Sequence, residues 1–208
     1  VPRDARPALT ANTPVLVTIR VCPGLPSLRS IATLPVLHRA ITAASNGSAF
    51  RIAHGSIQSN HVHLIVEALD APSLARGMCG FLVRVARGLN RAWSRRGKVL
   101  ADRYHARGLH TPLEVRRALG YVLHNARKHG CGSAGVDPYT SGPWFDGWEE
   151  PPDARDVARM AGHASPFAPA VGWLLRVGWR RHGLISLGES PQSSAKRASR
   201  RSDFEREG

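Results

Sequence analysis

Two histidines one residue apart, His61 and His63, are the side chains of this sequence best spaced to act together. They open the run His61-Val62-His63-Leu64-Ile65-Val66-Glu67-Ala68, whose β-branched and apolar content reads as a strand. Side chains alternate across a strand, so both imidazoles fall on one face while Val62, Leu64 and Val66 enter a core from the other. Two parallel imidazoles on a rigid strand make half a site for a divalent cation. Taken alone, the pattern describes two ordinary histidines near a sheet edge equally well. A phenol and an amide, Tyr121 and Asn125, form the second pair. Four residues span about one 5.4 Å turn, so on a helix the two project from neighbouring positions. Taken alone, Tyr121 also reads as a core tyrosine and Asn125 as an amide in a last helical turn.

The elements that must position these residues are legible as patterns. Val15–Val21 reads as a strand ended by Pro23, Gly24 and Pro26, and Ile31 to about Ser45 has helical spacing. Phe50–Ile57 reads as a second strand, joined to His61–Ala68 by a Ser59-Asn60 hairpin turn. Glu67 shares a strand face with the histidines and reads as a solvated carboxylate at the strand end or an outer neighbour of a cation. Pro72–Arg95 is a long amphipathic helix with a core stripe of Leu74, Met78, Phe81, Val85 and Leu89. On its opposite side Arg84, Arg87, Arg91 and Arg95 form a row, either a solvated face or a track for a phosphate backbone. Asp102–His110 reads as a fourth strand with Arg103, His105 and Arg107 on one face.

Thr111, Pro112 and Glu114 carry the signature of a capped helix start. That helix runs to about His129, burying Val115, Leu119, Val122 and Ala126, with Arg117, His124 and Lys128 on its polar side. Cys131–Ser165 is loop-rich and acidic, with Trp144–Trp148 as a packed aromatic plug, and Pro169–His182 reads as a further helix. The order β-α-β-β-α-β-α points to an α+β fold: a ferredoxin-like antiparallel sheet with helices packed on it. The expected division is a core domain over 1–130, an acidic segment with a helix over 131–188, and a disordered basic tail over 189–208.

Composition narrows the function. The 208 residues suit one domain with an appendage. Cys22, Cys79 and Cys131 form no CxxC pair, which argues against a disulfide framework and a zinc finger. No apolar run approaches the roughly 18 residues of a membrane helix, and no signal peptide is legible. The net charge is +14, with +9 concentrated in residues 61–130 and −4 in residues 131–165. Nearly all the basic residues are arginines, whose planar fork pairs with phosphate oxygens two at a time. A polyanionic partner is expected, and nucleic acid is the commonest one.

Ser59-Asn60-His61-Val62-His63-Leu64-Ile65-Val66 resembles the metal-binding strand of the HUH (histidine–hydrophobic–histidine) endonuclease superfamily, and more narrowly that of the single-tyrosine and REP-associated tyrosine transposases. Arg103-Tyr104-His105, preceded by Gly97, is similar to a second motif of those proteins, and Tyr121-Val122-Leu123-His124-Asn125 to their catalytic helix, in the same order. The resemblance covers roughly residues 14–129. It departs at Ser59, where the family commonly has proline, and at Ala126, where proline commonly follows the asparagine.

The resemblance implies that Tyr121 is the nucleophile and that His61, His63 and Asn125 hold a divalent metal, magnesium or manganese. It implies single-stranded, hairpin-bearing DNA as substrate, a monomer or homodimer, and a bacterial cytoplasmic, nucleoid-associated protein. A tyrosine attacking a phosphodiester keeps the bond energy in a 5′-phosphotyrosyl link, so strand transfer needs no nucleotide cofactor. The DNA contacts expected from charge and placement are Arg84, Arg87, Arg91, Arg95, Arg103, Arg107, Arg117 and Lys128. Tyr104 is the rival nucleophile. His105, His110 and His124 read as surface histidines, and the tryptophans as packing rather than base-stacking residues. The rival functions are a domesticated, non-catalytic nucleic-acid-binding protein and a metal-dependent phosphodiester hydrolase that uses water.

Overall fold

The strands form where β-branched residues alternate, and their order decides what reaches the tyrosine. In the computed structural model the described residues are 10, 13–45, 47–128, 135–156 and 163–189, the side chains of 126–128 excepted. Strands β2 (Phe50–Ile57) and β3 (His61–Ala68) form the expected hairpin, closed where the Gln58 N–H donates to the His61 carbonyl at 2.8 Å. Strand β1 (Val15–Arg20) pairs with the other side of β3, and β4 (His105–Gly108) pairs with β1. The sheet order is therefore β2-β3-β1-β4, antiparallel throughout, which is the expected ferredoxin-like α+β arrangement.

Helices cover both faces of this sheet. Helices α1 (Leu34–Ala44) and α2 (Ala71–Ala92) lie on one, burying Leu37, Ile41, Leu74, Met78, Phe81 and Leu89 against Val17, Ile19, Val62, Leu64 and Val66. Each such side chain contributes about 1.5–3 kcal/mol, enough to offset the roughly 1 kcal/mol that each α2 glycine costs relative to alanine. Two of those glycines are needed for close approach. A Cβ on Gly77 would enter the Phe50 ring, and one on Gly88 would lie 2.5 Å from Val36 Cγ1. Helix α3 (Pro112–Lys128) covers the opposite face, with Val115, Leu119 and Val122 packed on Ile65 and Ala53. Its start is the expected capping box: Thr111 Oγ1 accepts from the Glu114 N–H at 3.2 Å, and Glu114 Oε2 from the Thr111 N–H at 3.1 Å.

The chain beyond α3 joins the same core. Phe145 stacks on Trp179 at 5.6 Å and meets Trp148 edge-on at 5.3 Å, and these rings pack with Leu119 and Val122. Arg29 grips Asp137 with two hydrogen bonds of 2.9 Å, tying this segment to the β2 end. Among the described residues, no helix is long and apolar enough to cross a membrane.

Several expectations need correction. The Pro169–His182 helix is two short pieces, α4 (Trp173–Arg176) and a 3-10 turn (Gly178–His182): Gly172 is extended, with ψ 139°, and Val177 leaves helical geometry at φ −134°, while Glu67 holds the chain just ahead of the first piece. Its carboxylate accepts from the Val171 and Gly172 N–H groups, both at 2.8 Å. Glu67 is thus a buried anchor and not a solvated carboxylate or a neighbour of a cation. Helix α2 stops at Ala92, and Ser94 adopts a positive φ of 49°, so Arg95 lies outside the helix and bonds to Asn90 Oδ1 and the Lys98 carbonyl. The fourth strand is only His105–Gly108, because residues 102–104 bulge between the Thr18–His105 pair and the Ala101–Arg20 hydrogen bond. Arg103 consequently leaves the face it was expected to share with His105 and Arg107. His124 is buried against Trp148 and is not a surface histidine. The expected tail falls, from residue 190, outside the described residues, as does the Lys128 side chain.

Candidate active site

Registry across three strands builds the site. On β3, period two turns His61, His63 and Ile65 toward α3 while Val62, Leu64 and Val66 fill the core beneath α2. Cross-strand partners share a face, so the β1–β3 register sets Thr18 opposite His63 and Arg20 opposite His61. The β1–β4 register sets His105 on the other flank of Thr18, and Arg107 beside Leu16. One face of the sheet thus carries His63, Thr18 and His105 in one row, with His61 and Arg20 in the row beside it.

The His61 and His63 rings lie 4.7 Å apart, edge to face. His63 is buried, and both of its ring nitrogens have partners. Nδ1 lies 2.9 Å from Thr18 Oγ1, and Nε2 lies 3.0 Å from the Tyr121 hydroxyl. A neutral imidazole has one donor and one acceptor nitrogen, so Thr18 and Tyr121 read opposite ends of a single tautomer. His61 Nδ1 is 2.7 Å from Asn60 Oδ1 in the hairpin turn.

Tyr121 reaches the sheet from α3, its ring 5.0 Å from that of His63. It is half-buried, and burial pushes its phenol above the ordinary value, against the opposing pull of the Arg20 guanidinium. Arg117, one turn earlier on α3, is exposed. One turn later Asn125 is fully buried, and neither its amide oxygen nor its nitrogen has a hydrogen-bond partner among the described residues. Leaving such a group unpaired costs about 1–3 kcal/mol, so this amide, one helical turn from Tyr121, has capacity for a ligand.

No three His, Cys, Asp or Glu side chains gather as a cation site among the described residues. The two imidazoles of His61 and His63 are the nitrogen donors at the site, and Asn125 on α3 is a buried amide with open hydrogen-bonding capacity. Two imidazole nitrogens and an amide oxygen form a mixed donor set of the kind a divalent transition metal takes.

The structure brings His61, His63 and Tyr121 together, with Arg107 and Arg117 on the same side of the sheet. It does not bring the other basic candidates there. Arg84, Arg87 and Arg91 stand on α2, across the sheet from the tyrosine, and Arg95 is folded against the end of that helix. Arg103 and Tyr104 lie beside Ala75, Cys79 and Leu82 of α2. Thr18 and Arg20 escaped sequence reasoning, because only the pairing of two strands more than forty residues apart brings them to the site.

No family model and no curated protein matches the sequence. Among solved structures the chain is similar to a REP-associated tyrosine transposase bound to a REP hairpin, with a TM-score of 0.54 over 82% of this chain and 93% of that one. The two are 16% identical, so the likeness establishes a shared α+β fold.

Proposed function

We propose that this chain is a metal-dependent, single-tyrosine DNA endonuclease and strand transferase acting on single-stranded, hairpin-bearing DNA. The observation that carries the reading is the Tyr121 hydroxyl held 3.0 Å from His63 Nε2, on the face that also presents His61. The fold shared with a transposase solved on a DNA hairpin supports the substrate class.

The residues divide the work. Tyr121 attacks the scissile phosphorus in line, forming the O–P bond of a 5′-phosphotyrosyl link and breaking the bond to the 3′ oxygen, which leaves and takes up a proton. With Nδ1–H donating to Thr18 Oγ1, His63 Nε2 carries the one lone pair a cation would use, so with metal bound the phenolic proton passes to solvent rather than to the ring. Arg20 favours the phenolate by charge. His61, His63 and Asn125 are the side chains that would hold magnesium or manganese. Held there, a divalent cation would supply Lewis-acid polarisation of the phosphate and offset its developing charge. Arg117, exposed on the same side, and Arg107, which also faces Glu114 at 3.9 Å, would hold the flanking backbone. A free 3′-OH attacking the phosphotyrosine reverses the step and rejoins strands.

Covalent trapping of the protein on a labelled hairpin oligonucleotide tests the reading. An adduct that depends on Tyr121 supports it. Cleavage without adduct would assign the reaction to water instead.

A further inference from the structure

Helices α1 and α2 contain no acidic residue along Leu34–Ala44 or Ala71–Ala92. Between them runs an open groove of about 440 Å³, lined by Val36, Arg39, Ala40, Arg84, Gly88 and Arg91 among others. Close crossing at Gly88 and Val36 makes its floor, and small side chains such as Ala40 leave it open. The three arginines are exposed, and none has an acidic partner among the described residues. Elsewhere arginines are tied into the fold: Arg29 to Asp137, Arg116 to Glu189, Arg180 to Asp146. A groove edged by three guanidinium groups without such ties selects a polyanion.

Its chemistry narrows the partner. No aromatic ring lines the groove, so it offers nothing for unstacked bases to stack on, which single-strand readers use. The apolar stripe of α2 is consumed by the sheet, leaving charge rather than an apolar face for a lipid surface. On α2, Arg84 and Arg91 stand two turns apart, about 10 Å, with Arg39 facing them from α1. The groove also lies across the sheet from Tyr121, too far round the molecule to hold the strand at the tyrosine.

We infer that the α1–α2 groove is a second nucleic-acid surface, separate from the tyrosine site, that grips the phosphate backbone of duplex DNA through Arg39, Arg84 and Arg91. The protein then holds a duplex segment on one face while presenting the His61–His63–Tyr121 face to a single strand. The inference is independent of the tyrosine chemistry, since Tyr121→Phe leaves the groove untouched.

The test is binding of a blunt-ended DNA duplex without hairpin or single-stranded end, followed by fluorescence anisotropy over a salt series. Wild type and Tyr121→Phe bind alike. The Arg39→Gln/Arg84→Gln/Arg91→Gln variant binds more weakly, and its log-affinity against log-salt slope falls by about 2–3, near 0.9 for each phosphate no longer neutralised. The corresponding triple lysine variant keeps most of the slope. An unchanged slope in the glutamine variant overturns the inference, as does an equal loss in the lysine variant, which would trace the effect to damaged folding. A glutamine variant that keeps duplex binding while no longer binding phosphatidylserine vesicles would overturn it in favour of a lipid surface.

Discussion

The Tyr121 hydroxyl lies 3.0 Å from His63 Nε2, and Thr18 Oγ1 lies 2.9 Å from the Nδ1 of the same ring. One imidazole is therefore held from both ends, by a helix on one side and a neighbouring strand on the other. Thr18 touches neither DNA nor a cation in this account. It holds the tilt of the ring proposed to bind the cation. Thr18→Val keeps the shape and removes the hydroxyl. Adduct formation should fall about 10- to 100-fold, the usual effect of removing a partner that orients a ligand histidine. Restoring a hydroxyl with Thr18→Ser should recover most of the rate. A Thr18→Val enzyme with wild-type rates would show that the contact orients nothing.

Burial holds the Tyr121 phenol above its ordinary value, while Arg20 works against that rise. Deprotonated phenol is the better nucleophile, so the adduct rate should climb with pH through neutral and into the alkaline range. Removing the guanidinium removes the opposing pull. The Arg20→Gln profile should rise at still higher pH than that of wild type, with fold and hairpin binding retained. Superimposable profiles would take Arg20 out of the site.

Asn125 is a buried amide with no hydrogen-bond partner among the described residues, which is costly unless a ligand uses it. Replacing it with an apolar residue of similar size removes the unpaired group. Asn125→Leu should unfold at the same or higher denaturant concentration than wild type, while binding manganese more weakly and forming adduct more slowly. A variant that loses stability and keeps its manganese affinity would make Asn125 an ordinary core residue.

Acid sensitivity should have a specific origin in His54. Burial pushes its imidazole down to about 4, with Asp146 opposing part of the shift, and its Nδ1 lies 3.2 Å from Ser141 Oγ. The unfolded chain takes up this proton near pH 6.5, whereas the folded chain resists until about 4. The unfolded state thus binds more protons in that window, and stability falls as pH drops through it, by on the order of 3 kcal/mol. His54→Gln should flatten the decline in urea-unfolding free energy between pH 6.5 and 4. An equally steep decline in the variant would assign it elsewhere.

Local pattern carried much of the architecture. The strands Phe50–Ile57 and His61–Ala68 and the capped start of α3 appear where alternation, the Ser59-Asn60 turn and the Thr111–Glu114 box place them. The candidate pairing of His63 with Tyr121 was legible as two motifs, but their 3.0 Å approach depends on α3 crossing the sheet face that β3 turns toward it. What escaped was long-range. Thr18 and Arg20 reach the site through a β1–β3 register that no local signal encodes. The arginines of α2 went to the opposite face because a period-3.6 stripe says which side of a helix is buried, not which side of the sheet receives it. The Pro169–His182 helix is shorter than its spacing suggests because Gly172 is extended and Val177 leaves helical geometry, where the chain is also held by Glu67 from more than a hundred residues earlier.

The central claim is that Tyr121 makes the covalent bond to DNA. The direct measurement is a denaturing gel of the protein incubated with labelled single-stranded hairpin oligonucleotides and manganese, beside Tyr121→Phe and His61→Ala/His63→Ala. The expected result is a protein–DNA band that both variants and a chelator abolish, with Tyr121 as the modified residue in a peptide digest. Cleavage that persists in Tyr121→Phe, or a band whose link maps to Tyr104, would contradict the account.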